Sequence, residues 1–439
     1  MKIALTCPAS LPATQFGGIL FLGIYIAKYL SNIGHEVTIY TSNLDFANNA
    51  STFNKKLLSQ EKIGKYFIKR THVWFSTFLF FVNPGMYKQM MNDDFDIIHA
   101  IGVRSFQAFI ATLVSKRKKI PLVISDQGGL TTHPDLKKSS LIKRILIEIQ
   151  KPMIKFVINH ASKVLVANEY EKNIFLNFCN ESKITIIKNG IDLNELKPSE
   201  VDFNQKYNIS QKFILFLGRF HTVKGIDTLL ESLNQIKNNK SLKDLKIILM
   251  GVDFGYQHDM EKKISEFDLS KKILVIKKPP REDVISAYQN CKFLVLPSKW
   301  ELSPLTPLEG FAFKKTVIST TAHGIPYTIQ NNENCILVEP GNPTELSQAI
   351  LNLLNDEKKC EKLGNSGYEL VLEKCNSKVM VKNTLAMYEQ IIKELEEARR
   401  NTDSDMDSLL RTLRDRQGAS FAELAKYRKL VVHSTHSSG

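Results

Sequence analysis

The chain has 439 residues, with 59 lysines and arginines against 45 aspartates and glutamates, a net charge of +14. That length exceeds one ordinary hydrophobic core, so two domains plus an appendage are expected. A basic balance implies an anionic partner such as nucleic acid, acidic headgroups or nucleotide diphosphates; with no nucleic-acid motif alongside, nucleic acid is excluded as the leading partner.

The opening MKIALTCPAS lacks the long apolar core and cleavage site of a secretory leader. Its KIALTC is a short strand, followed by the Pro/Gly-rich loop PASLPATQFGG, a helical pattern from about Ile19 to Ile33 and a second strand, EVTIYTS. Gly17 and Gly18 stand at the helix start without a full G-x-G-x-x-G, so they read either as a place where a ligand nears the backbone or as plain loop glycines. Residues 66–92 are rich in phenylalanine and hold Trp74. Part of that stretch must be core, and the excess could face a greasy substrate or a bilayer. FDIIHAIG (95–102) is the next strand, ending near His99, and PLVISDQGGL (121–130) leads into a turn with Asp126 and Gln127. Residues 136–157 interleave lysine and arginine with isoleucine, leucine and phenylalanine, the pattern of a membrane-surface helix or of a solvated interdomain helix. Strands at 163–168 and 183–192 complete a first domain, 1–195.

Residues 196–211 are polar and read as a linker. KFILFLG (212–218) restarts a strand–helix alternation that carries a second domain to residue 372, with strands at 245–250, 273–276, 293–296, 316–320 and 335–340. A long charged helical pattern occupies 373–398. From 399 to 439 the composition changes, and this tail reads as two short helices, the second opening at Ser420 with a capping box to Glu423. Asp403, Asp405 and Asp407 alternate as metal ligands can, but an acidic, solvated helix start is much the stronger reading. No run of eighteen uncharged apolar residues occurs, so no membrane-spanning helix is expected. Six scattered cysteines without a C-x-x-C pair point to a reducing cytoplasm and away from a zinc site.

Two stretches carry chemistry. In FLVLPSKWELSPLTPLEGFAFKKTVIS (293–319) a buried strand ends at Pro297-Ser298, a loop brings Glu301, and a helix opens near Thr306 with Glu309 in its first turns. Pro304 and Pro307 suit a helix start, whose free N–H groups form an anion site. A nucleotide diphosphate there, with a carboxylate on either side to accept sugar hydroxyls, is one reading; two solvated glutamates on an ordinary loop is the other. In LGRFHTVKG (217–225) Arg219 and Lys224 follow a strand five residues apart and could converge on one anion, a planar fork and a point charge against a diphosphate leaving group.

With these pieces in view the chain resembles, over about residues 1–395, the retaining nucleotide-sugar glycosyltransferases of family 4. The shared elements are the E-x7-E pair Glu301/Glu309, the G-R-x4-K-G element at 218–225, NGID (189–192), GHEVTIYT (34–41), the FGG loop and EPGNPTEL (339–346), all in the family's order. The resemblance implies an α/β GT-B fold, two Rossmann-like domains facing across a cleft, with the last helix crossing back to the first domain. It implies that 1–195 binds the acceptor and 212–372 the donor, and that Arg219, Lys224 and Glu301 are the catalytic set. Gly17, Gly18, Gly218, Ser303, Leu305, Thr306 and Glu309 would complete the donor site, Glu309 holding the ribose, and His99, Gln127 and His133 are candidates for acceptor or sugar contacts. Catalysis would need no metal and no cofactor beyond a UDP-, GDP- or ADP-linked co-substrate. The chain departs from the family at Gln127, where many members have a histidine, and at AHGIPYTI (322–329), where His323 and Tyr327 replace a glycine and a glutamate.

The expectation is therefore a retaining hexosyltransferase acting on a glycan or lipid-linked acceptor, cytoplasmic or peripheral at the inner face of the cell membrane, with no nucleic-acid partner. Two rivals stay open. A non-catalytic scaffold of the same fold predicts nucleotide binding without sugar release, and a sugar-nucleotide epimerase predicts turnover without an acceptor.

Overall fold

The structure, a computed structural model, describes residues 1–14, 17–45, 53–77, 80–126, 128, 130, 132, 134 and 141–417. Gln127, His133 and the expected helix from Ser420 lie outside the described residues.

The first half contains strands β1 (Lys2–Thr6), β2 (Glu36–Ser42), β3 (Gln60–Ile63), β4 (Tyr66–Thr71), β5 (Phe75–Thr77), β6 (Phe80–Val82), β7 (Ile97–Ile101), β8 (Leu122–Ser125), β9 (Lys163–Val166) and β10 (Ile184–Ile186). Its helices are α1 (Gly18–Asn32), α2 (Gly85–Met91), α3 (Phe106–Lys118), α4 (Leu141–His160) and α5 (Glu169–Phe175). Eight strands form one sheet in the order β10-β9-β8-β7-β1-β2-β4-β3, parallel except for the β3–β4 hairpin, and β5 and β6 pair separately. Helices cover both faces, which is why β7 (IIHAI) and β8 (LVIS) are buried at every position rather than alternating.

The second half contains β11 (Lys212–Leu217), β12 (Leu245–Gly251), β13 (Ile273–Lys277), β14 (Leu294–Val295), β15 (Val317–Thr320) and β16 (Cys335–Val338). Between and after them run α6 (Phe203–Lys206), α7 (Ile226–Ile236), α8 (Gln257–Glu266), α9 (Arg281–Asn290), α10 (Leu305–Ala312), α11 (Ile325–Thr328), α12 (Pro343–Asn355), α13 (Glu357–Glu373) and α14 (Ser377–Gln417). The order β13-β12-β11-β14-β15-β16 is wholly parallel and reverses direction at β11/β14. Such a switch point opens a crevice at the carboxyl ends of the two strands, where ligands bind in doubly wound sheets. In the first sheet the corresponding point is β1/β7, and the Gly17-Gly18 loop follows β1 there.

Three boundaries differ from the sequence reading. The polar 196–211 segment is not bare linker: Phe203 is fully buried and starts a turn of helix capped by Asp202, whose side chain accepts from Gln205 N. The β3–β4 and β5–β6 hairpins went unread because β3 (QEKI) lies in the polar segment before residue 66, and β4, β5 and β6 lie in a stretch whose aromatic content obscured their alternation. The change at 399 is one of composition and does not interrupt the backbone: 377–417 contains neither glycine nor proline, so the first of the two short tail helices is instead part of one helix that runs through to the residue before Gly418.

The chain divides into two compact units, Met1–Thr384 and Leu385–Gly439, and both sheets belong to the first. Within that unit the NGID turn is a joint. A Cβ on Gly190 would sit 2.3 Å from the Asn376 backbone, Ser377 N donates to Ile191 O at 2.8 Å, and buried Asp192 accepts from Lys28 Nζ of α1 at 2.7 Å.

His99 sits in the middle of β7, completely buried, with Nε2 3.0 Å from Ser125 Oγ. Burial pushes its imidazole down to about 3. The unfolded chain therefore binds a proton on this ring between about pH 6.5 and 3 while the folded chain does not, so stability is complete above 6.5 and falls as the pH drops through that window. Replacing His99 with glutamine should shallow the acid limb by up to about 1.4 kcal/mol per pH unit. Denaturant melts of both proteins at pH 7, 5.5 and 4.5 check this; parallel pH dependences would refute it.

Candidate active site

The site is built at the β11/β14 switch point. β11 ends at Leu217, and Gly218 follows with its carbonyl pressed under Gly251, where a Cβ would lie 1.9 Å from that oxygen. The next residues keep strand-like alternation. Phe220 points inward and is fully buried, so Arg219 points outward, its guanidinium 5.0 Å from the Phe254 ring centroid. A short 3₁₀ turn, Thr222–Lys224, then carries Lys224 back over the sheet end, and Gly225, at φ 68°, starts α7. A Cβ on Gly225 would come within 1.9 Å of Pro297 O, so this position needs glycine for both its conformation and the close approach.

The loop after β14 is fastened to that turn. Lys299 N donates to Val223 O at 2.7 Å, and Lys299 Nζ pairs with Asp227 Oδ2 at 2.5 Å. Lys224 Nζ donates to Glu301 Oε1, which also accepts from Ser298 Oγ at 3.1 Å. On its other side the loop touches the TAHG segment: Gly324 N donates to Glu301 O at 3.0 Å, and a Cβ on Gly324 would meet Leu302 O at 1.7 Å. Asn168, at the start of α5, donates to Leu302 O at 2.8 Å, and Tyr170 Oη lies 2.7 Å from His323 Nδ1. The first domain thus grips the loop that carries Glu301.

Lys224, Glu301, Ser298, Thr306 and Ser319 line one recess, floored by Phe216 and Leu296 and walled by Pro304 and Pro307. α10 begins at its edge; Pro304 is the N-cap and no side chain caps the helix. The first-turn N–H groups and Lys224 give the recess a positive end, and Glu301 gives it an acceptor. Ser303 lies in the loop just before α10. Leu305, the first residue of α10, lines a second small recess with Gly18, Tyr25 and Gly190. Gly17 has φ 91°, and a Cβ on either Gly17 or Gly18 would meet nothing within 4 Å, so the backbone there faces open space.

Glu309 accepts from Arg281 Nη2 at 2.7 Å and from the Tyr288 hydroxyl at 2.7 Å. Burial works against the Arg281 charge, but the adjacent Glu309 carboxylate outweighs it and holds the guanidinium above its usual range. Burial, then the charge of Glu309, raises both Tyr288 and Tyr25 of α1, so the first domain meets this cluster too. Sequence reading missed Arg281 and Tyr288. The signal was there, since seven residues apart on α9 puts them on one helix face. It also led us to expect Arg219 and Lys224 on one anion; in the structure Lys224 lines the recess and pairs with Glu301, whereas Arg219 stacks on Phe254 outside it. His99 stands buried in β7, away from any recess described.

Residues 16–195 match the family described as Glycosyltransferase Family 4, and residues 199–370 match Glycosyl transferases group 1. The chain belongs to glycosyltransferase family 4. This glycosyltransferase is 27% identical over 346 residues to the capsular polysaccharide biosynthesis glycosyltransferase CapM of Staphylococcus aureus, covering 70% of this chain and 89% of that one. It is 26% identical over 319 residues to the N,N'-diacetylbacillosaminyl-diphospho-undecaprenol alpha-1,3-N-acetylgalactosaminyltransferase of Campylobacter jejuni, covering 70% and 80%. Among solved structures, sucrose-phosphate synthase from Thermosynechococcus elongatus superposes with a TM-score of 0.70 at 18% identity, over 90% of this chain and all of that one. Anabaena HepE in complex with UDP-glucose does so with a TM-score of 0.67 at 17% identity, over 90% of this chain and all of that one. These likenesses establish the GT-B fold.

Proposed function

We propose that this glycosyltransferase moves a hexose from a nucleotide sugar to a glycan or lipid-linked acceptor with retention of configuration and without a divalent metal, at the inner face of the cell membrane. One observation carries the reading: a cation, a carboxylate and an uncapped helix start share one recess at the switch point of the second sheet. In this reading the donor diphosphate lies on the start of α10, and Lys224 stabilises the charge that grows on it as the glycosidic bond breaks. Glu301 accepts hydroxyl hydrogen bonds from the sugar, and Glu309 accepts those of the ribose. Much of the rate would come from orientation inside a cleft that excludes water. The acceptor class follows the relatives, one named for a capsular polysaccharide and another for a diphospho-undecaprenol substrate.

A thermal-shift and turnover screen against UDP-, GDP- and ADP-sugars, with and without EDTA, tests the proposal. At a hundred times its dissociation constant the true donor should add about 2.7 kcal/mol of stability. A shift selective for one base, with EDTA-insensitive sugar release, is expected, and nuclear magnetic resonance of the product reads the anomeric configuration. No shift with any nucleotide would defeat the proposal, and an inverted product would defeat its retaining part.

A further inference from the structure

We propose that a half-exposed aromatic ridge on the first domain, running from the β5–β6 hairpin across α3 to α4, seats the enzyme on an anionic bilayer. Trp74 is 75% exposed and Phe75 beside it 60%, an unusual pair to leave in water. The hairpin continues into a chain of ring contacts. Phe80 of β6 packs edge-on against Phe106 at the start of α3 (centroids 6.0 Å), Phe106 leans on Phe109 (6.2 Å), and Phe109 meets Phe156 of α4 (5.9 Å). Each of those four rings is only partly buried. At its far end the ridge becomes basic. His160 stacks on Phe156 and lies close enough to exposed Lys116 that the lysine, after burial, holds the imidazole below its usual range.

Charge chooses the occupant. Lys116, Arg117 and Lys119 at the end of α3 and Lys151 and Lys155 of α4 are all exposed, and Glu148 is the one exposed acidic residue among the described residues of the two helices. An aromatic ridge that projects from a hairpin and ends in a cationic surface suits the boundary layer of an anionic membrane, where the rings enter the headgroup region and the lysines stay with the phosphates. A protein partner would instead favour an apolar patch depleted of lysine. The placement is useful as well. α3 starts at the carboxyl end of β7, beside the first-sheet switch point, so a bilayer on the ridge would bring membrane-borne molecules to the mouth of the acceptor domain. The surface lies apart from the donor recess, so it stands or falls independently of the donor assignment.

The test is co-sedimentation of the full chain with 100 nm vesicles of phosphatidylcholine alone or with 30% phosphatidylglycerol, alongside tryptophan emission. Trp74 is one of two tryptophans and the other, Trp300, is buried, so Trp74 should dominate any spectral change. Binding to the anionic vesicles with a blue shift is expected, weakened by salt. The double variant Trp74→Ser/Phe75→Ser should bind at least about tenfold more weakly, since each aromatic side chain contributes apolar burial of that order. Both residues are exposed, so the melting temperature and any nucleotide-induced shift should be unchanged, which separates a docking defect from a folding or donor-site defect. Equal binding to neutral vesicles, unaltered binding by the double variant, or a wild-type dimer that the variant dissolves without any vesicle binding would each overturn the proposal.

Discussion

Replacing Lys224 with alanine should lower kcat by about two to three orders of magnitude, the typical cost of about 2.7–4 kcal/mol for removing one preorganised charge-stabilising donor. The lysine is held by Glu301 and by the glycine-tight turn that ends at Gly225, so little reorganisation would be needed when charge develops on a departing diphosphate. If the interaction belongs to the transition state, kcat and kcat/KM should fall together; a rise in KM alone would mean that Lys224 only binds ground-state donor. Stability should also drop, because Glu301 is largely buried and would keep only Ser298 as a side-chain partner. A largely buried carboxylate stripped of its cation costs about 1–3 kcal/mol. The double variant Lys224→Ala/Glu301→Gln separates the effects: it should regain much of the melting temperature and none of the turnover. A single variant that keeps kcat within a factor of a few would remove Lys224 from the chemistry.

Much of the donor half was legible because its signals are local. The buried apolar runs of parallel strands, the prolines at the start of α10 and the E-x7-E spacing are each set by a few neighbouring residues, and the structure places them within a residue or two of expectation. The pairings were harder to read. Nothing in LGRFHTVKG says that Lys224 turns back toward Glu301 while Arg219 turns out to Phe254; that follows from Phe220 filling the core and forcing its neighbour outward. The docking of Asn168 on Leu302 joins residues 134 apart in the chain and depends on how the two domains meet, which no window of sequence encodes. The aromatic stretch at 66–92 looked uniform in sequence, yet it splits into buried Tyr66, Ile68 and Phe81 and the exposed Trp74 and Phe75. The alternation of two short hairpins makes that division.

Glu309 should decide whether the enzyme reads a ribose. A ribose bound there must share or replace partners, since Arg281 and Tyr288 already occupy both carboxylate oxygens. The two contacts differ. Tyr288 is fully buried and its hydroxyl fixes one oxygen from inside, whereas Arg281 is about half exposed and has room to turn toward solvent or toward a phosphate that replaces its carboxylate partner. Donor binding should therefore displace the guanidinium and keep the phenol. Hydrogen bonds to a charged acceptor are worth about 1.5–3 kcal/mol, so Glu309→Gln should weaken binding of the preferred nucleoside diphosphate by about ten- to a hundredfold. It should also erase most of the preference for that nucleotide over its 2'-deoxy form, because the site would no longer penalise a missing hydroxyl. Arg281→Ala should act differently, changing affinity by less than Glu309→Gln and leaving the preference for ribose intact. Titration calorimetry of both variants with both nucleotides gives the answer. Undiminished discrimination in Glu309→Gln would place the ribose elsewhere and leave the Arg281–Glu309–Tyr288 cluster as a packing device of α9 and α10.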